Sequence, residues 1–332
     1  MSYLLKRTKE EMPVPERPEW LDGGGNISWP RYVQSLVFQI NRKMNRKANP
    51  GLPWIGLSST NYDLYRDHPR VVVGAILIRA FRWSQGECLG LTPDELLRRG
   101  LCDPGIVKTK GELHTAQKVA EKRMRQTVSL STVDQQLQQS FCRFMNSHEK
   151  LSYRTLPVQV GLGLSDDSSM EFRERVLRTA DGKPVVATDM SGFDFTIMAW
   201  YHDFMCFVRL TVLDLPPDSP FGRAITGLYH CVKHVTLSTP KGRLLTLTIP
   251  GIVSSGGYNT GRDNCWFRWW AALLVGSTWA FTMGDDCLEE KENPEAYRAL
   301  GLIPKQATSY LGEDFDFLSH VFTEAGPVPI RV

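Results

Sequence analysis

Two short apolar stretches that each run into aspartate constrain this sequence more than any other feature. Val185-Val186-Ala187-Thr188 leads into Asp189, and Thr278–Met283 leads into Gly284-Asp285-Asp286, after which Cys287–Glu290 is again strand-like. Brief apolar runs bounded by turn residues read as buried strands. Gly284-Asp285-Asp286 then stands at a hairpin turn, where Gly-Asp alone is ordinary turn chemistry. The second aspartate-ended strand changes its meaning. If both strands share one sheet, their carboxylates meet at its edge, and such carboxylates raise each other's pKa unless a cation sits between them. Mg²⁺ suits that position, because it takes few carboxylates and completes its shell with substrate phosphates. No histidine or cysteine cluster accompanies the acids, so zinc is a poor fit.

Further signals surround this pair. Asp194 comes five residues after Asp189, beyond Ser191-Gly192, which lets the chain turn out of the strand. Its plainer role is a helix N-cap. Thr260 and Asn264 share one helical face at i, i+4, with Ser255-Gly256 before them. A hydroxyl and an amide so placed can read a sugar hydroxyl; a capped helix with a solvated face is the bland alternative. Between Lys108 and Arg125 stand six basic residues (Lys108, Lys110, Lys118, Lys122, Arg123, Arg125) against two acidic ones (Glu112, Glu121). That local excess is larger than the net charge of +3 on the whole 332-residue chain. It suits a triphosphate or an RNA backbone, whereas a charge run by itself is a solvated loop.

Composition sets the remaining bounds. With 42% hydrophobic and 23% charged residues the chain can bury a sizeable core, which rules out wholesale disorder. No apolar run reaches the roughly 18 residues that span a bilayer, and the polar start is unlike a signal peptide. Seven widely spaced cysteines without C-x-x-C fit reduced thiols in a cytoplasmic compartment. His230-Cys231-x-x-His234 offers two histidines at helical spacing but no partner pair for zinc, so a packed or surface histidine pair is the better reading.

Residues 1–27, with Pro13, Pro15, Pro18 and a glycine triplet, read as an extended arm. Helices are expected from Ser28 to about 44, over 69–84, from Thr92 to Gly100, from a Ser131-x-x-Asp134 capping box to about 147, and over 169–178. Strands then alternate with helices. Val235–Ser238 and Arg243–Ile249 read as a hairpin, Gly256–Leu274 as a helix, and 315–322 as strand-like. The fold class is α+β, a small sheet covered by helices beside a mostly helical first half.

In this order the motifs resemble those of the RNA-dependent RNA polymerases of positive-strand RNA viruses, within them the sobemovirus-like (solemovirid) group, over about residues 48–322. Asn49-Pro50-Gly51-Leu52-Pro53 resembles motif G, and Lys110-Gly111-Glu112 through Lys118 to Arg123-Met124-Arg125 resembles motif F. Asp189–Asp194 is similar to motif A, Ser255–Asn264 to motif B and Gly284-Asp285-Asp286 to motif C. Lys305 stands where motif D carries its lysine, and Phe317-Leu318-Ser319-His320 resembles motif E. Glu112-Leu113-His114, Gln126-Thr127, Leu318 and Asn49 depart from the usual residues.

The resemblance implies a right-hand polymerase with a palm built on a small antiparallel sheet, mostly helical fingers, and a thumb truncated or absent, since twelve residues come after His320. It divides the chain into an arm at 1–27, fingers at 28–180, a palm at 181–312 with a fingers-type insertion around 214–250, and motif E with the start of a thumb at 313–332. It implies template-directed RNA synthesis by two-metal nucleotidyl transfer: Asp189 and Asp285, with Asp286 in a lesser part, would hold two Mg²⁺ ions (Mn²⁺ as a substitute), and Lys305 would be an acid for pyrophosphate. Lys110, Lys118, Arg123, Arg125, Asp194, Ser255, Gly256, Thr260 and Asn264 would bind the nucleotide. Asn49, Pro50, Gly51, Ser319 and His320 would meet template and primer. The implied partners are RNA, NTPs and other viral replication proteins. No membrane segment is encoded, and the implied place is the host cytoplasm, in a complex tethered to membranes through partners. Rival readings are a reverse transcriptase or other palm polymerase, an inactive polymerase fragment, and a non-catalytic RNA-binding module. The last would show exposed aromatics on its strands where this sequence has aspartates.

Overall fold

The structure is a computed structural model that describes residues 1–111, 116–121, 124–312 and 314–330, with only the backbone of Gln117, Lys118 and Asp166. The chain forms two compact units, one of residues 1–15, 144–201 and 261–332, the other of 16–143 and 202–260.

In the first unit a four-stranded antiparallel sheet runs in the order Ala280–Met283, Asp286–Glu289, Val185–Thr188, Thr308–Tyr310. The two acid-ended strands are therefore in one sheet, one strand apart. Phe172, Val176 and Ala180 of the Asp166–Ala180 helix pack with Val185, Phe281 and Leu288 of this sheet. Phe315, Phe317 and Phe322 join the same core from the three-stranded sheet Phe315–Phe317, His320–Thr323, Gly326–Pro329. The Thr260–Leu274 helix is buried on every side from Arg262 to Leu273. Its tryptophans supply much of the buried surface, and its arginines, Arg262 and Arg268, are buried in ion pairs.

The other unit holds a four-stranded sheet in the order Gln126–Ser129, Gly105–Thr109, Thr236–Ser238, Leu244–Thr246. Its hydrophobic centre is Val128, Leu130, Val235, Leu237 and Ile252. A second centre is aromatic, with Trp20, Tyr32, Phe141 and Phe221 in edge and tilted contacts.

Residues 2–11 depart from the expected extended arm and form a helix. The prolines that suggested an arm begin only at Pro13, and Leu4, Thr8 and Met12 make a buried i, i+4, i+8 stripe. Trp270 Nε1 donates to Thr8 Oγ1 at 2.9 Å, so the stripe is fixed by a polar contact as well. The helix expected from Gly256 starts at Thr260 instead. Ser254 O accepts from Gly257 N and Thr260 Oγ1, which closes turns where helical bonds would otherwise form. The Ser131 box is also only half made. Ser131 Oγ accepts from Asp134 N at 3.1 Å, but the Asp134 carboxylate turns to Arg79 and Asp103 N.

Candidate active site

The hairpin turn carries its acids because of glycine. Met283 pairs with Asp286, leaving Gly284-Asp285 as a two-residue turn, and Gly284 has φ +65°. A side chain in that conformation is strained, and glycine at the first turn position is what such hairpins use. Gly284 N donates to Cys265 Sγ at 3.1 Å, tying the turn to the Thr260–Leu274 helix. On the neighbouring strand Thr188 pairs with Cys287, so Asp189 follows directly at the end of the sheet where Asp286 begins its strand. The chain stays paired beyond this rung. Met190 bridges Pro304, Ser191 N donates to Ile303 O, and Lys305 N donates to Asp189 O at 2.9 Å. Lys305 is thereby laid against the end of the strand, where its amine pairs with Asp189 Oδ2.

The electrostatics follow from this crowding. Burial, then the neighbouring Asp189, raises the Asp285 carboxyl above its ordinary range, with Lys305 acting against the shift. Asp286 is pushed up to about 6 by burial and by Asp285 and Asp189, against Lys305 and Arg268. Asp189 Oδ1 is buried with no hydrogen-bond partner. Three carboxylates thus converge with one ammonium among them and one oxygen unsatisfied. Among the described residues no three His, Cys, Asp or Glu side chains form a ready-made metal cage. The donor set fits Mg²⁺ rather than zinc, because Mg²⁺ needs only one or two carboxylates besides phosphate oxygens.

Beside the acids, Asn264 Nδ2 donates to Asp194 Oδ1 at 2.6 Å, and Asn264 Oδ1 is buried without a partner. The helix beginning at Phe193 is capped by Gly192 in the left-handed region, so Asp194 is not its N-cap. Ser255, Gly256 and Thr260 belong to the other compact unit, and Gly256 is packed there against a helix and a strand. Gln135 Nε2 donates to Gly256 O, and a Cβ on Gly256 would collide with Val128 O.

The basic segment frames a hairpin in that same unit. Gly105–Thr109 and Gln126–Ser129 pair antiparallel, and Lys110 N donates to Arg125 O at 2.8 Å, which sets exposed Lys110 and Arg125 side by side at its open end. Ala116–Ala120 between them is helical. Arg123 and the Lys118 side chain lie outside the described residues, as does Glu112-Leu113-His114.

Asn49-Pro50-Gly51 is packed in the same unit. Thr132 N donates to Pro50 O at 2.7 Å, and a Cβ on Gly51 (φ +74°) would meet Leu130 O and Ser131 Cα at 2.8 Å. In the unit with the acids, Leu318-Ser319 forms a two-residue turn with φ +54° and +58°, and His320 Nδ1 lies 2.8 Å from Leu318 O. Neither residue is the glycine or asparagine such a turn favours, so the turn carries backbone strain.

Sequence reasoning missed the residues behind the acids: Thr188, Arg268, Glu289 and Tyr297. The legible signal was Arg268 itself, a cation in the run Cys265-Trp-Phe-Arg-Trp-Trp, one helical turn after Asn264.

The family described as viral RNA-directed RNA-polymerase matches residues 224–323. The chain is 30% identical over 324 residues to Protein P2-P3 of Poinsettia latent virus, covering 93% of this chain and 29% of that protein. It is 33% identical over 302 residues to the replicase polyprotein P2AB of Southern cowpea mosaic virus, covering 87% and 31%. With Protein P1-P2 of Turnip yellows virus the identity is 35% over 322 residues, covering 90% and 30%. The chain spans about three tenths of the length of these relatives. Among solved structures, the Sicinivirus 3Dpol RNA-dependent RNA polymerase shares the fold, with a TM-score of 0.59 at 15% identity, over 89% of this chain and 64% of that one.

Proposed function

Because this chain belongs to the viral RNA-directed RNA polymerases, we propose that it performs template-directed RNA synthesis in the replication of a positive-strand genome. The observation that carries the reading is the register, in which the ladder pairing Thr188 with Cys287 ends just before Asp189 at the same end of the sheet as the Asp285-Asp286 turn. A non-catalytic module has no use for crowded carboxylates of which two, Asp285 and Asp286, have their proton affinity raised by burial and by their acidic neighbours.

Asp189 and Asp285 would hold Mg²⁺, with Asp286 bracing the turn. When bound, the metal supplies charge that makes the RNA 3′-hydroxyl a nucleophile at neutral pH and steadies the pyrophosphate. The 3′-oxygen attacks the α-phosphorus in line, its proton passing to solvent. The bond from the α-phosphorus to the bridging oxygen breaks, and Lys305 protonates the departing pyrophosphate. The backbone bond from Lys305 N to Asp189 O, which keeps this lysine beside the acids, supports the assignment. Lys110 and Arg125 at the end of their hairpin, with Lys118 and Arg123, would neutralise the triphosphate; Arg125 suits a direct contact because its planar fork matches two phosphate oxygens. Asp194 and Asn264, with Ser255, Gly256 and Thr260, would read the ribose 2′-hydroxyl. Asn264 Oδ1, left unpaired, is an acceptor for that group. Asn49-Pro50-Gly51 would guide template, and Ser319-His320 the primer end.

On this reading residues 28–180 and 181–312 supply fingers and palm, with the 214–250 segment on the fingers side and 313–332 leading towards a thumb. No helix among the described residues is long and apolar enough to cross a membrane, so any attachment to membranes in the host cell would come through other viral replication proteins. Primer extension on an RNA template with the purified chain tests the activity. Ribonucleotide incorporation that requires Mg²⁺ (or Mn²⁺) and is lost in Asp285→Ala is expected. Metal-independent incorporation, or preference for deoxyribonucleotides, overturns it.

A further inference from the structure

Behind the acids lies a buried charged cluster that the proposed chemistry does not use. Arg268 and Glu289 are both 0% exposed. Burying an ion pair is expensive, and it is recovered only where nearly every donor and acceptor is satisfied. Here they are. Arg268 Nη1 donates to Tyr297 Oη at 2.8 Å, and Nη2 donates to Thr188 Oγ1 and, at 3.2 Å, to Glu289 Oε1. Its Nε donates to Asp285 O at 3.2 Å. Glu289 in turn accepts from Thr188 Oγ1 at 2.5 Å, Ser277 Oγ at 2.9 Å and Tyr297 Oη at 2.7 Å. The Tyr297 ring lies 4.7 Å from the guanidinium carbon, a cation–π contact that closes the cluster from one side.

Stability alone does not call for such a pair, since apolar residues of like volume generally serve as well in a core. The pair has a direction instead. Of the guanidinium's contacts, one is the side chain of the residue before Asp189 and another is the main chain of Asp285 itself. One rigid fork therefore spans both strands that carry acids. Lysine has no such fork, only a mobile point charge.

We propose that Arg268 is a positioning residue for the carboxylate cluster. Its guanidinium fixes Thr188 relative to the Asp285 carbonyl, and so sets Asp189 and Asp285 at a separation at which both hold one divalent cation; Glu289 and Tyr297 lock the fork. This rests on the metal-dependent reading above and adds to it the residue that holds the two acids in place.

The test uses the whole chain and the variants Arg268→Lys and Tyr297→Phe. Mn²⁺ binding is monitored without substrate by the loss of the free-ion EPR signal, and thermal midpoints report folding. Removing an outer-shell partner typically weakens metal binding by about 10- to 100-fold. Arg268→Lys is expected in that range and Tyr297→Phe measurably weaker than wild type but less so, in both cases with nucleotide KM changed less than the metal requirement. A purely structural role would lower the thermal midpoint and leave Mn²⁺ affinity alone, and that result overturns the proposal. If Arg268→Lys does not fold, Tyr297→Phe decides by the same criterion. Wild-type chain that binds no Mn²⁺ sinks the metal-dependent reading and this inference together; wild type that binds while the variants bind equally well sinks only this inference.

Discussion

Arg79 in one compact unit and Arg268 in the other are both buried beside acids, and the two networks end differently. Arg79 donates to Asp103 at 2.9 Å, to Asp134 at 2.5 Å and to Gly100 O at 3.0 Å. Trp54 Nε1 and Asp103 N occupy further oxygens of the same two carboxylates. Every acid near Arg79 is consumed, and the network terminates in itself. Arg268 is just as buried, but its single close carboxylate is Glu289, and its remaining donors reach the chain beside Asp189 and Asp285. There Asp189 keeps a buried oxygen without a donor, whereas the oxygens of Asp103 and Asp134 all have one; burial raises the proton affinity of Asp134 as it does that of Asp285 and Asp286. Two similar ion clusters thus do different work: one closes a core, the other holds open a set of unneutralised acids.

That contrast breaks or sharpens under substitution. The largest effect belongs to Asp285→Ala, which should cut RNA synthesis by at least about a thousandfold, the order seen when a principal charge-stabilising group is lost. Its thermal midpoint should hold or rise, because a crowded buried acid is removed; a folded variant that retains activity would erase the distinction between the two clusters. Next comes Arg79→Met. Leaving Asp103 and Asp134 buried without their cation should cost about 3–5 kcal/mol in urea unfolding, with no change in the Mg²⁺ concentration for half activity in the folded fraction. A shift in that concentration would show that the Arg79 network also serves the site.

Asn264→Ala should lower the preference for ribo- over deoxyribonucleotides, by tens-fold or more, since a site built to bond a hydroxyl rejects its absence strongly. Competition assays with paired nucleotides measure this, and equal loss for both sugars would refute the role. The smallest effect is on stability against pH. Asp286 titrates near 6 when folded but near its ordinary value of 3.8 when unfolded. The folded state therefore binds the extra proton, so this group's contribution is full below about 4 and is lost as pH rises through about 6. In EDTA, the stability advantage of Asp286→Asn over wild type should grow from pH 4 to pH 7; a constant difference would contradict the crowding.

Much of the site was legible because acid chemistry leaves a linear trace. Asp189, Asp285 and Asp286 stand at strand ends, and Asp194 and Asn264, both assigned to the nucleotide, are joined by a hydrogen bond that no spacing displays. Lys305 was placed by its position, though its pairing with Asp189 depends on the bridge from Met190 to Pro304, which no spacing displays. The Arg268 cluster was missed because its partners come from separate strands and a later helix, so only register brings them together. The 2–11 helix was missed for the opposite reason: conspicuous prolines drew attention from a stripe of three residues whose burial depends on distant partners such as Trp270. Half-formed capping at Ser131 shows the same limit, as tertiary charge took a carboxylate that local rules had assigned to the helix start.

The most direct measurement is anomalous scattering from crystals of the chain soaked in Mn²⁺. A peak touching the carboxylates of both Asp189 and Asp285, with the Lys305 amine moved off Asp189, is the expected result. A fully soaked crystal with Lys305 still seated on Asp189 and no peak between the two acids would contradict it.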